Sequence, residues 1–352
     1  MFRFLRLGIC ILSIFALALL FACEGDQGPQ GPPGDKGDPG EPGSGCGSAP
    51  PEDFYLSMAV FNGYDGVDMD YRAADFVKVT FDTEQEPGSD LIVGVFLEEP
   101  PTLDGEDGDI DEWGDGNDIY ESRIALDETV GNDIGTGEVL VRCAYDAENV
   151  YFFFTWSEAG VTEENRNFEE WEITSTPEFT YTTVGSEDRL WILFPEDSDF
   201  EPSENDVLLA DGLDNASLSV SGRVDVWDWR ASLTDLVGFV DDAYIVFDGA
   251  SHGGVQFDAG GGAFVRNIDG DHPAWMHFTD PNANVDYPLW FRDAIIFNTT
   301  NWGNGQTIPG YMATVPYGDR GDIYCASIFE MPRWIVEVQR SRSTGSGNDK
   351  QF

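Results

Sequence analysis

Positive charge is what this sequence has least of. Lysine and arginine number 18 against 66 aspartates and glutamates, and the formal net charge at pH 7 is -48. Such a surface repels nucleic acid, because phosphates require basic residues for neutralisation, and it repels anionic membrane surfaces as well. The composition therefore excludes a nucleic-acid partner and favours cations, basic partners or simple solubility in salt.

Long helical periodicity and the common catalytic motifs are also missing. No window repeats apolar residues at helical spacing over several turns. The chain contains no Gly-x-Ser-x-Gly, no phosphate-binding loop and no His-Glu-x-x-His. The run Gly260–Gly262 does not open a helix, so it predicts a flexible turn. With 66 acids, no particular pair of carboxylates indicates glycoside hydrolysis.

The first residues predict an export signal over residues 1–22. Arg3 and Arg6 precede a short apolar run, and Cys23 follows a small residue. The run is shorter than the roughly 20 residues that a membrane span needs, so a retained anchor is the weaker alternative. A cysteine at this place resembles the bacterial lipobox, which implies cleavage before Cys23 and its lipidation. Glu24 follows, which by the same resemblance implies sorting to the outer membrane, on its periplasmic or its cell-surface face.

Residues 23–45 are predicted to form a collagen-like stalk. Glycine recurs at every third position from Gly25 to Gly43, and only glycine fits the crowded axis of a collagen triple helix. Two alternatives stay open: a homotrimer, clamped through Cys46 after the repeat, and an extended semi-rigid spacer. Residues 46–99 are interpreted as a linker followed by the first strands.

Three cysteines remain after processing, namely Cys46, Cys143 and Cys325. An odd number in an exported protein indicates one pair plus one free or intermolecular thiol. Cys143 and Cys325 both lie in strand-like runs and are able to pair, although their positions do not establish a disulfide.

The rest of the chain predicts an all-β fold. Short runs that alternate apolar and polar residues indicate half-buried strands. Leu190–Phe194 is apolar throughout, which suits a strand buried on both faces, and residues 146–149 predict a hairpin turn. Many short strands with Gly, Asp and Pro at the turns favour an immunoglobulin-like β-sandwich. The predicted strands cover residues 54–61, 76–81, 91–96, 139–145, 150–156, 190–194 and 334–340.

The stretch from Arg223 to Gly249 is predicted to form two strands joined by a turn. The indoles of Trp227 and Trp229 supply more apolar surface than an exposed loop tolerates, so at least one of them faces a core or a ligand. The acidic pair at residues 241–242 predicts a turn, which is either solvated or helps to shape the mouth of a pocket.

The densest acidic loop is a candidate calcium site. Asp107, Asp109 and Asp111 have the alternate spacing of a calcium loop, but the tight-turn glycine and a bidentate glutamate are missing. A solvated turn is the alternative. The entry to this loop and Trp113 resemble the start of the first strand in DOMON-like and family-9 carbohydrate-binding sandwiches, where the tryptophan packs in the core.

Nine stretches, in this order, carry a further resemblance: residues 101–105, 146–156, 187–195, 224–231, 238–242, 308–311, 318–323, 334–340 and 349–352. Together they resemble the haem-binding domain of the γ subunits of ethylbenzene dehydrogenase and dimethylsulfide dehydrogenase and of related cytochrome c-552-type proteins. The resemblance covers about residues 100–352. It implies a b-type haem in a sandwich, with methionine and lysine as axial ligands, that relays electrons from a molybdenum subunit.

This chain departs from the family's pattern at the residues expected to be the axial haem ligands. None of its three lysines, Lys36, Lys78 and Lys350, lies within the matching strands. Arg230 stands where the family's motif has lysine, and arginine cannot ligate iron because it stays protonated. Its guanidinium suits a haem propionate or an internal carboxylate instead. Neither strand cysteine begins a C-x-x-C-H, so a covalent c-type haem is excluded.

Histidine and methionine are the remaining axial donors. The best cluster lies in residues 272–278 and contains Met276 and His277. His252 and Met312 are further candidates. Core packing is the alternative role of the methionines, and a surface or hydrogen-bonded ring is the alternative role of the histidines.

The sequence thus favours a non-catalytic haem-binding accessory for electron transfer, carried on an outer-membrane lipoprotein and served by a redox partner protein. The alternative is a module without haem. Such a module would bind a carbohydrate by tryptophan stacking or act only as a structural surface protein.

Overall fold

A computed structural model describes residues 49–352 except 65–70, 82–83, 107–112, 114–119, 131–136, 158–168, 176–177, 184–186, 204–205, 207–216, 220, 250, 278–288 and 299–306. The predicted export signal, Cys23, the collagen-like stalk and Cys46 lie outside these residues. Every regular element in the described part is a strand or a short 3₁₀ turn, and no helix there is long and apolar enough to cross a bilayer.

The strands are β1 (Phe54–Tyr64), β2 (Tyr71–Ala73), β3 (Val77–Thr80), β4 (Leu91–Phe96), β5 (Ser122–Val130), β6 (Gly137–Tyr145), β7 (Asn149–Ser157), β8 (Glu169–Ser175), β9 (Glu178–Thr183), β10 (Glu187–Pro195), β11 (Gly222–Arg230), β12 (Asp241–Asp248), β13 (Ser251–His252), β14 (Gln256–Phe257), β15 (Gly260–Gly261), β16 (Phe264–Arg266), β17 (Trp275–His277), β18 (Leu289–Trp290), β19 (Ala294–Ile296), β20 (Thr307–Pro309), β21 (Tyr311–Ala313), β22 (Tyr317–Gly318), β23 (Ile323–Glu330) and β24 (Arg333–Ser341). The 3₁₀ turns are Asp235–Val237, Phe291–Asp293 and Asp319–Gly321.

One 14-stranded sheet supplies both layers of a β-sandwich. The order β12-β11-β10-β1 makes one layer and β6-β7-β24-β23 makes the other. Strands β1 and β6 are linked twice, through β2 and β5 and through β3 and β4. Aromatic rings of the two layers meet in the middle: Phe152 lies 6.0 Å from Trp227, and Trp156 lies 5.9 Å from Trp229. The predicted sandwich is therefore confirmed.

The seven predicted strands are all present. Strand β10 is buried along its whole length, as its unbroken apolar run predicts. Strands β6 and β7 form the predicted hairpin, in which Asp146 accepts hydrogen bonds from the backbone N–H groups of Glu148 and Asn149. These bonds fix the turn. Strands β1 to β4 belong to this 14-stranded sheet, so the strands within the predicted segment 46–99 are part of the sandwich.

Two turn predictions are wrong. Asp241 and Asp242 begin strand β12 and are buried, and Arg320, far along the chain, binds Asp241. Gly260 and Gly261 form strand β15 against β22. The φ of Gly260 is +136°, a conformation that side chains rarely adopt, and the Tyr317 carbonyl occupies the place of a Cβ.

The two strand cysteines are both buried and remain free thiols. Burial raises the pKa of Cys143 far above its usual value. The thiol of Cys325 donates to the carbonyl of Phe239 at 3.1 Å. The pairing that the sequence left open therefore does not occur here.

The described residues between 260 and 318, which we call the small-sheet region, are built differently. Their strands are two or three residues long and form separate small sheets: β15-β22, β16-β21-β18, β17-β19 and β20 paired with β8-β9. Short strands bury little of their surface, and this region exposes several apolar side chains. Among them are Phe291, Ile296 and Val315, which are 69 %, 80 % and 78 % exposed.

Candidate functional site

The two tryptophans that the sequence singles out lie in the centre of the sandwich. Trp227 and Trp229 are both 0 % exposed. The ring of Trp227 lies 4.6 Å from Phe194, and the ring of Trp229 lies 4.9 Å from Trp334. Rings packed at these distances fill the core. Both indoles are therefore surrounded by aromatic side chains of the protein itself.

The guanidinium of Arg230 is occupied by a carboxylate from the neighbouring strand. Its Nε and Nη2 donate to Oε2 of Glu187 at 3.0 and 2.7 Å, and the Ser232 hydroxyl bonds the other oxygen. Burial opposes the charge of Arg230, but Glu187 and Asp228 raise its pKa. Of the two roles predicted for Arg230, the internal carboxylate is the one observed.

Other buried charged side chains of the sandwich also have partners, either an opposite charge or the N–H of an indole. Arg189 binds Asp228, with Nη2 at 2.5 Å from Oδ2, and the Trp334 indole donates to Asp188 at 2.9 Å. The indole of Trp113 donates to Glu337 at 2.9 Å and is buried, which confirms the predicted core role of this tryptophan. The charged residues of the resembling stretches thus hold the strands to one another.

One group of acids is not balanced in this way, and we call it the aspartate cluster. It lies around Arg340 and consists of Asp225, Asp242, Asp258, Asp322 and Asp349. The five acids and Arg340 each come from a different part of the chain. They belong to strands β11, β12 and β24, to the segments before β23 and after β14, and to the C-terminal tail. Arg340 stacks on Trp227 at 5.3 Å, so the cluster lies against the aromatic core.

Arg340 makes two short contacts and two long ones in this cluster. Its Nη1 donates to Asp225 at 2.6 Å, and its Nη2 lies 2.6 Å from Asp349. Asp242 and Asp322 are farther away, at 4.0 and 3.9 Å. Neither carboxylate oxygen of Asp242 accepts a hydrogen bond from any described residue, although this side chain is 0 % exposed.

The pKa values in the cluster reflect this imbalance. Burial raises the pKa of Asp258 to about 8 and that of Asp322 to about 6, and it raises the pKa of Asp242 well above the usual value. Burial works against Asp349 as well, but Arg340 holds its pKa below the usual value. One arginine therefore compensates for only part of the negative charge.

The best predicted donor, Met276, lies in the small-sheet region on strand β17. It is 1 % exposed and packs with Trp171 and Ile308. Its sulfur accepts a hydrogen bond from the backbone N–H of Asn298 at 3.4 Å. His277 follows on the same strand and is half-buried. The burial of Met276 agrees with core packing, and it also shields the thioether from water.

Met312 lies on strand β21 of the same region and is 3 % exposed. The buried side chain of Asn267 connects β20, the strand just before β21, to the strand that carries Met276. Its Nδ2 donates to the carbonyls of Trp275 and Pro309 at 3.0 and 2.9 Å. Trp275 precedes Met276, and Pro309 lies three residues before Met312, so a single amide holds both methionine segments.

The residues that follow Met312 in the chain help to line an open apolar pocket of about 480 Å³. It is lined by Trp290, Phe291, Arg292, Ala313, Thr314 and Val315. In the pairing of β18 with β21, Trp290 lies opposite Ala313, whereas Leu289 lies opposite Met312. Because alternate side chains of a strand point to opposite faces, Met312 faces away from this pocket. The lining residues include no donor for iron, so the pocket alone does not fit a haem.

The remaining predicted residues lie elsewhere. His252 is on strand β13 at the edge of the large sheet, where its Nδ1 lies 2.8 Å from the carbonyl of Gly253. Asp107, Asp109 and Asp111 lie outside the described residues. The structure therefore groups Met276, His277 and Met312 in one region, apart from His252. The tryptophan strand meets this region at Arg230, whose guanidinium lies 5.0 Å from the ring of Phe264 on the strand that pairs with the Met312 strand.

Sequence reasoning missed the aspartate cluster. Its members are spread over more than a hundred residues, from 225 to 349, so no local motif contains them. One signal was available: Asp225 lies between Val224 and Val226, and Arg340 belongs to a strand that also contains Trp334, Ile335 and Val336. A charge within a buried strand requires a partner elsewhere in the fold.

A family model described as ethylbenzene dehydrogenase matches residues 116–352, which is more than half of the 352-residue chain. No curated protein matches the chain significantly. The matched part begins just before β5 and runs to the C-terminal residue. It contains both methionine strands and the whole aspartate cluster.

Proposed function

The chain belongs to the ethylbenzene dehydrogenase family, and from this membership we propose that its β-sandwich is a non-catalytic accessory module that binds b-type haem and transfers electrons. The family match is the observation that carries the proposal. Haem supplies one-electron chemistry at its iron, and the protein contributes ligands, shielding and electrostatics.

The small-sheet region is the part of the chain that supports haem ligation best. Met276, His277 and Met312 offer two thioethers and an imidazole, which are accepted axial donors for a b-type haem. By donor type these residues fit the group. The two thioethers are shielded from water, at 1 % and 3 % exposure, and low exposure is one of the factors that set a haem potential. Asn267 has a positioning role, because it holds both methionine segments.

The acidic composition of the chain favours one kind of redox partner. A net charge of -48 favours a redox partner with a basic contact surface, because complementary charge accelerates encounter. The export signal and Cys23 support a place in the cell envelope, anchored to the outer membrane by lipid. The glycine repeat supports a homotrimer held by the stalk.

The decisive experiment is an absorption spectrum of the full chain produced with haem supply. We expect a Soret band with about one haem per chain, and sharp α and β bands on reduction. Met276→Leu and Met312→Leu preserve volume and remove the sulfur donor, so we expect at least one of them to weaken haem retention or to shift the spectrum to a high-spin form.

His252→Gln is the matched control, because this residue lies at the far edge of the large sheet. It should leave the spectrum unchanged. Wild-type protein that folds but retains no haem, or methionine variants with the wild-type spectrum, would contradict the proposal. Binding of a carbohydrate by a haem-free chain would favour the alternative module.

The envelope location has its own test. Membrane fractionation and mass spectrometry of the N-terminus should find a lipidated Cys23, and Cys23→Ala should release the protein from the outer-membrane fraction. A Cys23→Ala protein that stays in that fraction would contradict lipid anchoring without affecting the haem proposal.

A further inference from the structure

The aspartate cluster has no role in the proposed electron transfer, yet its composition needs a physical explanation. Five carboxylates surround one guanidinium inside the sandwich. Unpaired charges in a protein interior are costly, because they lose their hydration without compensation. A counter-ion is one way to remove that cost, and carboxylate protonation is the other.

Three members of the cluster have the spacing of a cation site. One carboxylate oxygen from each of Asp242, Asp322 and Asp349 lies within 4.8 Å of the other two. Two oxygens that share one calcium ion at 2.3–2.6 Å are at most about 5 Å apart. A single ion can therefore reach all three carboxylates after a small adjustment of the side chains.

The state of Asp242 is an independent observation that indicates a ligand. The side chain is 0 % exposed, and neither of its oxygens accepts a hydrogen bond from a described residue. The closest cationic group is Arg340 Nη2, at 4.0 Å. That guanidinium is already committed to Asp225 and Asp349 at 2.6 Å. Buried carboxylates normally have partners, and a cation held between Asp242, Asp322 and Asp349 would supply one.

We propose that Asp242, Asp322 and Asp349 bind one calcium ion between the layers of the sandwich. Carboxylate oxygens are hard ligands, which select hard cations. Magnesium keeps several of its waters and usually takes only one or two carboxylates, whereas calcium accepts more protein oxygens in a flexible geometry. Three buried carboxylates therefore match calcium better than magnesium.

The site would fasten the C-terminal tail to the core. Asp242 belongs to β12, Asp322 precedes β23, and Asp349 lies in the tail three residues before Phe352. The Phe352 ring packs 5.1 Å from Phe54 and 6.0 Å from Trp227. Arg340 positions the tail by holding Asp349, and the ion would add a link from the same residue to two strands.

The test uses the full chain after treatment with EDTA and dialysis. Isothermal titration with CaCl₂ should give calcium binding that includes one site in this cluster, and saturating calcium should raise the Tm by about 5 °C or more. MgCl₂ at the same concentration should give a smaller shift. An EDTA-treated chain that binds no calcium, or a larger response to magnesium, would overturn the proposal.

Variants assign the binding to this cluster. Asp242→Asn keeps the shape of the side chain and removes a charge, so it should abolish one equivalent of calcium and leave the EDTA-treated protein at least as stable as wild type. Asp322→Asn, at a partly exposed position, is the second variant if the first fails to fold. A stabilised Asp242→Asn protein that still binds calcium as wild type would show that proton sharing alone balances the cluster.

The control is the triple variant Asp107→Asn, Asp109→Asn and Asp111→Asn in the acidic loop. We expect it to keep the equivalent that Asp242→Asn removes. Loss of all calcium in the loop variant, together with wild-type binding by Asp242→Asn and Asp322→Asn, would assign the ion to the loop and overturn the proposal. None of these measurements depends on haem.

Discussion

The interior of the sandwich and the small-sheet region use aromatic residues in opposite ways. Trp227 and Trp229 are completely buried among other rings. In the small-sheet region, Phe291 is 69 % exposed and Trp290 lines an open pocket. A cluster of tryptophans in a sequence therefore does not by itself locate a ligand site. In this chain the rings with the strongest sequence signal build the core, whereas the exposed apolar side chains of the small-sheet region lie on short strands and turns with a weak signal.

The largest expected difference between the two regions is in the free energy of unfolding when one aromatic ring is truncated in each. Trp229→Ala should lower the free energy of unfolding by about 3–5 kcal/mol, because it leaves a cavity in a packed core. Phe291→Ala should change it by no more than about 0.5 kcal/mol, because an exposed ring loses little packing. Urea denaturation measures both. Equal losses would mean that the two regions are packed alike.

The buried charges of the sandwich should be almost as sensitive as its rings. Arg340→Met leaves Asp225 and Asp349 without their cation, and breaking a buried pair in this way costs about 3–5 kcal/mol. Arg292→Met is the matched control in the small-sheet region. Its side chain is 78 % exposed and its pair with Asp293 spans 3.6 Å, so we expect a change of about 0.5 kcal/mol or less.

Urea denaturation in EDTA compares the two arginine variants without interference from calcium. An Arg340→Met protein as stable as wild type would show that the cluster is neutral when folded. The interpretation of Arg340 as its principal counter-charge would then be wrong.

A smaller effect is expected on the pH dependence of folding stability. It arises from Glu196, which follows β10 at the end of the sandwich. Burial raises its pKa to about 7, Arg223 at 3.8 Å opposes the rise, and Asp225 and Asp349 add to it. The folded state thus binds more protons than the unfolded state between pH 4.5 and 7. The stability contributed by this group is fully present below its unfolded pKa and is lost as the pH rises towards 7.

Glu196→Gln removes this titration. Relative to wild type, the variant should gain about 1–2 kcal/mol between pH 4.5 and 7.5, which is less than the full value of the shift because water and salt screen a partly exposed group. The side chain is 20 % exposed. Urea denaturation of the variant and the wild type across this pH range measures the difference. A constant difference would contradict the assignment to Glu196.

Local patterns were sufficient to predict most of the sandwich. The apolar run of β10 and the acidic turn between β6 and β7 carry their own signals, and both predictions are confirmed. Asp241 and Asp242 were misassigned to a turn because a pair of acids normally indicates solvent. Arg320, which binds Asp241, lies about 80 residues further along the chain, and Arg340, the arginine nearest Asp242, lies about 100 residues further, so no local pattern could show that these two acids are buried.

The individual residues of the candidate site were predictable from the sequence, but their grouping in the fold was not. Met276, His277 and Met312 were identified by residue type, because few other donors exist in the chain. Their grouping depends on Asn267, whose side chain joins two later segments of the chain, around Trp275 and Pro309. The short strands β17 and β21 give no clear periodicity, since three residues are too few to establish an alternation.

We propose that ligand binding belongs to the small-sheet region, and we infer that the tryptophan strand is structural. The most direct test is the haem content per folded chain of two variants made and purified side by side. Trp229→Phe should retain the wild-type content of about one haem, and the double variant Met276→Leu, Met312→Leu should lose it while remaining folded. Loss of haem from Trp229→Phe, with full retention by the double variant, would contradict the claim.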